Sequence, residues 1–271
     1  MEVSPAELEF ELEAGIGVLS LNRPEKRNAL TTPLCEGLRD LLGQLRRRDD
    51  VKVLIVTGKG AAFCAGSDAE TRLLPRIVGD RYVPLEKTRA EALDSVMLYL
   101  APAFMDVGKP TIAAINGVAA GAGLSIALFC DIRIASEKAR FVASWLNVGL
   151  VPDCGATFLL PRTIGVDHAL KMCFTGGMVD ADEAQRIGLV TEVVPHDNLM
   201  GAARDLAQKV ASGPSVAIEL TKRAMYRRLS AELMDSLHFE AYAQGICFNT
   251  EDFREGVRAF REKRRPVFRG S

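Results

Sequence analysis

Short apolar runs in the first half of the chain are separated by longer stretches with helical periodicity. Residues 7–13 and 16–21 alternate between apolar and polar side chains, which predicts a two-stranded hairpin. Three buried strands are predicted from VKVLIVTG at 51–58, PTIAAIN at 110–116 and DIRIAS at 131–136. Because strands alternate with helical stretches, the pattern favours parallel pairing and an α/β fold.

Longer helical segments complete the pattern. A first helix is predicted to begin at a cap formed by Thr31 or Thr32 and to end near Arg47. Residues 59–84 have no regular pattern, and a long amphipathic helix is predicted over 86–106. Further helices are predicted at 163–175, 180–187, 198–212, 214–228, 231–248 and 250–264.

The balance of elements changes along the chain. After about residue 160 the helical pattern dominates, and LVTEVV at 189–194 is the one strand that the sequence predicts there. We therefore expect an α/β core in residues 1–200 and a helical region in residues 201–271.

Composition removes several classes of protein. The 271 residues carry a formal net charge of -1, so the chain lacks the basic surface that attracts nucleic acid. No apolar run reaches about 18 residues, so we expect no membrane span. The start MEVSPAELEFELE is acidic and lacks the basic region of a secretory signal, which favours a cytoplasmic protein.

Cysteine and histidine do not occur at the spacings of metal ligands. The cysteines lack CxxC spacing, and no histidine has ligand spacing with a cysteine. We expect no metal ion and reduced cysteines that serve packing. The residues are Cys35, Cys64, Cys130, Cys154, Cys173 and Cys247, with His168, His196 and His238.

Two glycine-rich turns are candidates for a binding site. FCAGSD at 63–68 follows the predicted strand 51–58, and NGVAAGAG at 116–123 ends the predicted strand 110–116. Parallel sheets bind ligands at the carboxyl ends of their strands, and small residues let the backbone approach a ligand. Two N–H groups from such turns, aimed at one point, form an oxyanion hole. The glycines are also compatible with packing alone, and neither turn has the pattern of a phosphate loop.

Five motifs in a fixed order resemble the enoyl-CoA hydratase/isomerase, or crotonase, superfamily. They are LNRPEKRNAL (21–30), AFCAGSD (62–68), NGVAAGAG (116–123), GLVPDCGAT (149–157) and REGVRAFREKRRP (254–266). The residues within these motifs are most similar to those of the ring-1,2-epoxyphenylacetyl-CoA isomerase branch. The resemblance implies a crotonase-like spiral of ββα units that carries the acyl-CoA site. It also implies a C-terminal helical trimerisation region, with a homotrimer or a dimer of trimers.

The resemblance also implies roles for matching positions. The N–H groups of Ser67 and Ala122 match the oxyanion-hole donors. Coenzyme A is then part of the substrate, and no separate cofactor is expected. The implied contacts with the acyl-CoA are Arg27, Ala29, Ala65, Gly66, Asp68, Gly121, Trp145, Phe260 and Lys263. A basic tail that holds Lys263 suits phosphate groups, although a solvated helix face has the same composition.

The carboxylates bear on the reaction. Hydratases of this superfamily use two glutamates, but Ser125 and Trp145 occupy the matching positions and neither replaces a carboxylate. Asp153 matches an acid of isomerase-type members. Isomerisation needs one mobile proton carrier and an oxyanion hole, so the resemblance favours an enoyl-CoA isomerase over an enoyl-CoA hydratase. The sequence position of Asp153 is also compatible with a structural role, as a turn residue or as the cap of the helix that follows.

Trp145 keeps another reaction open. A lone tryptophan usually packs in a core, but it also suits the wall of an aryl or flat acyl pocket. A tryptophan eight residues before an aspartate resembles the 4-chlorobenzoyl-CoA dehalogenase branch, where the acid is a nucleophile. That branch uses a histidine in the helix before the second glycine turn, where this chain has Leu98 and Tyr99.

Two non-enzymatic functions, acyl-CoA binding without catalysis and nucleic-acid binding, are alternatives to an enzyme. A catalytically weak acyl-CoA-binding protein would keep the motifs and lose the chemistry, but Asp153 and the intact turns favour an enzyme. A nucleic-acid-binding protein would need a basic stripe, and the run Arg46–Arg47–Arg48 and the C-terminal basic residues are the only candidates. Residues 68–105, which would line the acyl pocket, carry no motif.

Overall fold

Two larger sheets, a two-stranded sheet and a set of helices form the described part of the chain, in a computed structural model that describes residues 7–78, 81–82, 96–227 and 229–271. The strands are β1 (Leu8–Glu13), β2 (Ile16–Leu21), β3 (Val53–Gly58), β4 (Ala62–Cys64), β5 (Ile77–Val78), β6 (Arg81–Tyr82), β7 (Thr111–Ile115), β8 (Val118–Ala120), β9 (Ile132–Ser136), β10 (Arg140–Val142), β11 (Met178–Asp180) and β12 (Glu192–Val194).

The helices follow the strands and become dominant toward the C-terminus. The α-helices are α1 (Thr32–Leu45), α2 (Val96–Asp106), α3 (Ala122–Phe129), α4 (Ala156–Ile164), α5 (Val166–Thr175), α6 (Ala181–Arg186), α7 (Leu199–Ala211), α8 (Ser215–Tyr226), α9 (Leu229–Phe248) and α10 (Glu251–Glu262). A π-helical turn covers Ala69–Leu73, and a 3-10 turn covers Leu74–Arg76.

Successive strands pass between the two larger sheets. The first sheet has the order β1-β2-β3-β7-β9-β12, and the second has the order β11-β10-β8-β4. Only the β1–β2 and β10–β11 pairs of these sheets are antiparallel. The chain thus repeats a unit in which β3 and β4, β7 and β8, and β9 and β10 each give one strand to each sheet. This arrangement is the α/β spiral of ββα units that the resemblance implies, so the predicted fold class is confirmed.

The longer elements lie where the sequence predicts them, whereas several three-residue strands were not predicted. The hairpin of β1 and β2 and the strands β3, β7 and β9 lie where the sequence predicts them. Of the two candidate caps, Thr31 is the cap of α1, because its Oγ1 accepts a hydrogen bond from Leu34 N at 3.2 Å. The strands β4, β8, β10 and β11 were not predicted, since three residues are too few to show a period.

Two predicted helices need correction or qualification. The helix predicted over 163–175 covers the end of α4 and all of α5, which Gly165 separates with φ +79°. Of the helix predicted over 86–106, residues 96–106 are helical and residues 86–95 lie outside the described part of the chain.

The first sheet is covered on both faces. On one face α7 packs through Leu199, Ala203, Ala207 and Ala211, which recur at helical spacing and form a buried cluster with the strands. Alanine side chains let this helix approach the sheet closely. A larger core on the other face joins the two sheets with most of the remaining helices. The predicted boundary between an α/β core and a helical region at residue 200 stays a prediction. Helix α7, which lies almost entirely after that residue, packs on the first sheet.

Several sequence-based expectations concern groups that the structure describes. All six cysteines are free thiols. In the described part of the chain, no cluster of three or more His, Cys, Asp or Glu side chains could hold a metal ion. Among the same residues, no helix has the length and apolar character that crossing a membrane requires.

A buried ion pair ties the C-terminal helices to the sheet. Lys222 of α8 is 7% exposed, and its Nζ lies 2.9 Å from Oδ2 of Asp131. The same ammonium donates to the carbonyl oxygens of Phe104 at 3.2 Å and Lys109 at 3.0 Å. Asp131 Oδ2 also accepts from Thr111 N at 2.7 Å, so one carboxylate joins α8 to the starts of β7 and β9.

Replacing Lys222→Met is expected to lower the free energy of unfolding by about 3–5 kcal/mol, because the Asp131 carboxylate then loses its buried counter-charge. Equilibrium urea denaturation measures the change. Lys209→Met is the matched control, since Lys209 is an exposed lysine on α7. A loss no larger than that of the control would show that the pair does not stabilise the fold.

Candidate active site

The two glycine-rich turns meet because the strands before them are neighbours. Both turns were predicted to follow the long strands 51–58 and 110–116. Both motifs follow these strands along the chain, and each also contains residues of a short strand that was not predicted, β4 or β8, which pair in parallel in the second sheet. A Cβ on Gly66 would lie 2.7 Å from the carbonyl oxygen of Ala120, and a Cβ on Gly123 would lie 2.2 Å from that of Cys64. Glycine at these positions is therefore what permits the backbones to touch.

Two residues that line the cleft between the turns, Ser67 and Ala122, have backbone N–H groups available to a ligand. Leu30 N donates to Gly66 O at 2.8 Å and Asp68 N donates to Leu30 O at 2.9 Å, so the hydrogen bonds with Leu30 are made by the neighbours of Ser67 and not by the Ser67 N–H. Ala122 is the first residue of α3, where an N–H has no intrahelical acceptor. Neither N–H has a hydrogen-bond acceptor among the described residues. Ser67 and Ala122 line one cleft of about 210 Å³.

Asp153 lies on the wall of the same cleft. Its carboxylate is held at both oxygens: Trp145 Nε1 donates to Oδ1 at 2.8 Å, and Gln244 Nε2 donates to Oδ2 at 2.9 Å. The Cys154 thiol also lies 3.2 Å from Oδ1. Among the described residues that line the cleft, Asp153 is the only acidic one. The cleft therefore combines one fixed carboxylate with two backbone donors.

Glu240 caps the helix that follows Asp153. Its carboxylate accepts from Gly155 N at 2.8 Å and from Thr157 N at 3.0 Å, and it also accepts from the Thr157 hydroxyl. The cap position considered for the Asp153 side chain is thus occupied by a residue of α9. Burial raises the pKa of Glu240 to about 7, and the neighbouring Asp153 charge acts in the same direction.

The residues at the two glutamate positions face different surroundings. Ser125 is fully buried, its Oγ donates to the carbonyl oxygen of Asp153 at 3.2 Å, and it does not line the cleft. Trp145 is 5% exposed and belongs to the core, yet it also lines the cleft. Trp145 thus packs in the core and lines the cleft, and its role as the wall of an acyl pocket stays a prediction.

The positions implied for coenzyme A divide between cleft and surroundings. Ala65, Gly66 and Gly121 line the cleft. Arg27 is exposed and lies beside it, because its carbonyl oxygen accepts from Ala65 N at 3.0 Å. The carbonyl oxygen of Ala29 accepts from Arg23 at 2.5 Å.

Asp68 shapes its turn and does not line the cleft. Its Oδ2 lies 2.9 Å from Arg23 Nη1, and its Oδ1 accepts from Thr71 N at 3.0 Å. Burial raises the pKa of Asp68, but the hydrogen bonds from Arg23 and Thr71 outweigh burial and leave that pKa below its usual value. The carboxylate is thus fully engaged within the protein.

The C-terminal candidates occupy the edge of the site. Phe260 lines the cleft and is 62% exposed. Lys263 ends α10 in a left-handed conformation with φ +55° and is exposed outside the cleft lining. The implied contact of Lys263 with phosphate groups stays a prediction.

Two polar residues of α9 were missed by the sequence analysis. Leu233 and Leu237 form a buried stripe on α9, and Glu240 and Gln244 continue that stripe at helical spacing. A polar pair on a face that the period predicts to be buried is the signal that could have identified them.

Two arginines on the cleft wall were also missed. Arg76 is 7% exposed, and its guanidinium lies 4.8 Å from the centre of the Phe248 ring. Arg72 Nη1 donates to Thr32 Oγ1 at 2.9 Å. Both arginines lie in the π-helical and 3-10 turns, inside a stretch that was predicted to be irregular. No sequence pattern therefore indicated that they would line the cleft.

Comparisons with known proteins agree on one family. The Enoyl-CoA hydratase/isomerase family profile matches residues 11–271. A probable enoyl-CoA hydratase of Rhodobacter capsulatus is 37% identical over 97% of this chain and 98% of its own length. The 1,2-epoxyphenylacetyl-CoA isomerase of Escherichia coli is 36% identical over 96% of this chain and 97% of its own.

Solved structures give the same result. The crystal structure of an enoyl-CoA hydratase/isomerase from Pseudoalteromonas atlantica superposes with a TM-score of 0.87 at 31% identity, covering 97% of this chain and all of that one. The names of these relatives include both hydratases and isomerases.

The buried Glu240 is expected to make the stability of the fold depend on pH. Its folded pKa of about 7 exceeds the ordinary value of 4.5, so the folded state binds the proton more tightly and stability falls as pH rises between these values. Relative to Glu240→Gln, the parent should lose on the order of 3 kcal/mol of unfolding free energy between pH 4.5 and 7.

Urea denaturation across this pH range tests the expectation. Glu192→Gln is the matched control, because Glu192 is an exposed residue of β12. The expectation is wrong if parent and Glu240→Gln lose stability in parallel as pH rises.

Proposed function

The chain belongs to the enoyl-CoA hydratase/isomerase family, whose enzymes act on acyl-CoA, and from that premise we propose that it is an enoyl-CoA isomerase. The proposed reaction moves a carbon–carbon double bond along the acyl chain by one-base proton transfer. One observation carries the proposal: the cleft joins two backbone donors to a single described carboxylate, Asp153. Hydration needs acid and base groups that relay a water, whereas isomerisation needs one group that takes and returns a proton.

The proposed steps use the backbone donors as an oxyanion hole. The thioester oxygen accepts hydrogen bonds from Ser67 N–H and Ala122 N–H. Asp153 removes a proton from one carbon of the acyl chain, and the electron pair of that C–H bond passes into the carbonyl to form an enolate. The negative charge on oxygen is stabilised by the two donors and by the N-terminal end of α3.

The same carboxyl group completes the reaction. Protonated Asp153 returns the proton to the carbon two bonds away, the carbonyl reforms, and the double bond has moved. A mobile proton carrier was predicted, but the hydrogen bonds that Trp145 and Gln244 donate to Asp153 support a fixed one. A fixed carboxyl group reaches both carbons from one side of the acyl chain only. The proton is therefore removed and returned on the same face of the substrate.

The remaining contacts are proposed from the resemblance and from position. Ala65, Gly66 and Gly121 flank the pantetheine arm, with Arg27 and Ala29 beside it. Phe260 and Lys263 approach coenzyme A at the edge of the cleft. Coenzyme A arrives as part of the substrate, so no separate cofactor or metal ion is needed.

A homotrimer or a dimer of trimers is the proposed assembly. Exposed apolar side chains on α9 support it, because such side chains usually meet a partner in water: Phe239, Tyr242 and Ile246 are 67%, 67% and 55% exposed. We propose no nucleic-acid or membrane partner.

A second candidate is hydrolysis through an aspartyl ester, as in the dehalogenase branch. The observation that favours it is the 2.8 Å bond from Trp145 Nε1 to Asp153 Oδ1, which orients the other oxygen for attack. Asp153 would displace halide from an aryl ring, and water would then cleave the ester at its carboxyl carbon. The described cleft lining contains no histidine to activate that water, so isomerisation is the better supported reaction.

Isotope labelling separates these reactions. A 3-enoyl-CoA and its 2-enoyl partner incubated in deuterated, oxygen-18 water are expected to interconvert with deuterium uptake and without heavy oxygen. Mass spectrometry of the thioesters measures both. Heavy oxygen in a 3-hydroxyacyl product would instead establish hydration. For the second candidate, single turnover of a haloaryl-CoA would leave oxygen-18 on the peptide that contains Asp153.

Asp153→Asn is expected to lower kcat by about 10²-fold or more, because the amide cannot accept the proton. Steady-state assays of isomerisation measure the effect. Asp205→Asn is the matched control, since Asp205 is an exposed aspartate on α7. Parental turnover by Asp153→Asn would rule out Asp153 as the proton carrier, and the absence of turnover in the parent on any enoyl-CoA would favour a binding protein.

A further inference from the structure

Helix α9 contributes one buried polar side chain, Gln244, to the lining of the cleft. We propose that Gln244 of α9 is a positioning residue for Asp153, fixing the carboxylate in the place that proton removal requires. The proposal rests on the proposed function of Asp153. Gln244 is 6% exposed, lines the cleft and lies 91 positions from Asp153 in the sequence.

The hydrogen-bond partners of Gln244 determine the orientation of its amide. The Val151 N–H is a donor, so the side-chain oxygen must face it, at 3.2 Å. The Asp153 carboxylate only accepts, so the side-chain nitrogen must face Oδ2, at 2.9 Å. One side chain thus fixes both the loop before Asp153 and the carboxylate itself, and a flipped amide would lose both contacts.

Gln244 and Trp145 act on opposite oxygens of one carboxylate. With both oxygens accepting hydrogen bonds, the carboxyl group cannot rotate without breaking one of them. Both donors are neutral N–H groups that cannot accept a proton, so neither competes with Asp153 as the base. Among the described residues, the charged or titratable groups around Asp153 are Glu240 on the helix of Gln244, Cys154 beside Asp153, and Arg72 and Arg76, which line the same cleft.

Neither leucine nor glutamate reproduces these contacts. Leucine at position 244 keeps much of the volume but leaves the Val151 N–H and Asp153 Oδ2 without partners. Glutamate keeps an acceptor for the Val151 N–H but places a second carboxylate against Asp153. The two substitutions therefore change the same contact in chemically different ways.

The test compares Gln244→Leu and Gln244→Glu with the parent on an enoyl-CoA that the parent isomerises. For Gln244→Leu, kcat should fall about 10- to 100-fold while KM changes less than about threefold, because the base is misplaced and the substrate contacts remain. For Gln244→Glu, the acidic limb of the kcat/KM pH profile should also move upward by about one pH unit or more. An unmoved limb would overturn the contact between Gln244 and Asp153, whereas a purely structural role of Gln244 would leave the kcat of folded Gln244→Leu at its parental value.

The controls separate the possible failures. Gln208→Leu, an exposed glutamine of α7, should keep parental kinetics. Circular dichroism and thermal unfolding establish that each variant folds. If Gln244→Leu does not fold, the pH profile of the near-isosteric Gln244→Glu decides.

Asp153→Asn measured alongside distinguishes this proposal from the proposed function. If Asp153→Asn is inactive while both Gln244 variants keep parental kcat and pH profile, the positioning role is overturned and the one-base reaction stands. If Asp153→Asn is fully active, both are overturned. Asp153→Asn combined with Gln244→Leu should be no slower than Asp153→Asn alone, and an additional loss would mean that Gln244 acts outside the Asp153 contact.

Discussion

A backbone approach that leaves no space for a Cβ atom is the constraint on which the site depends. The turn after β4 and the start of α3 touch at Gly66 and Gly123, where any side chain would meet a carbonyl oxygen. A Cβ on Gly117 would likewise lie 2.1 Å from the carbonyl oxygen of Ala61. Because the two short strands pair in parallel, this contact brings the N–H groups of Ser67 and Ala122 to one cleft.

The second constraint is the network of buried polar groups around the acid. Each carboxylate oxygen of Asp153 accepts a hydrogen bond from a different part of the chain. Trp145 contributes from the loop after β10, whereas Gln244 contributes from α9. Such a network fixes geometry when every member has a partner, and it is costly when one is removed. The position of the acid is therefore a property of the whole chain and not of its own loop.

Glu240 shows that this arrangement has an energetic cost. A carboxylate that is 1% exposed is desolvated, and its pKa rises although three donors face it. In return it occupies the N-terminal end of α4, where negative charge is favourable and the first N–H groups need acceptors. The helix that begins one turn after Asp153 is thus anchored by the same helix α9 that supplies Gln244.

The sequence by itself determined the parts of this protein that depend on local chemistry. Strand and helix periods predicted the longer elements, glycine predicted the two turns, and five ordered motifs identified the family and singled out Asp153. The three-residue strands β4 and β8 carry too little pattern to be predicted, so the sheet that joins the turns became known only from the fold. Gln244, Glu240 and the cleft-facing arginines required tertiary structure, because a helical period predicts which face is buried but not which distant loop that face will meet.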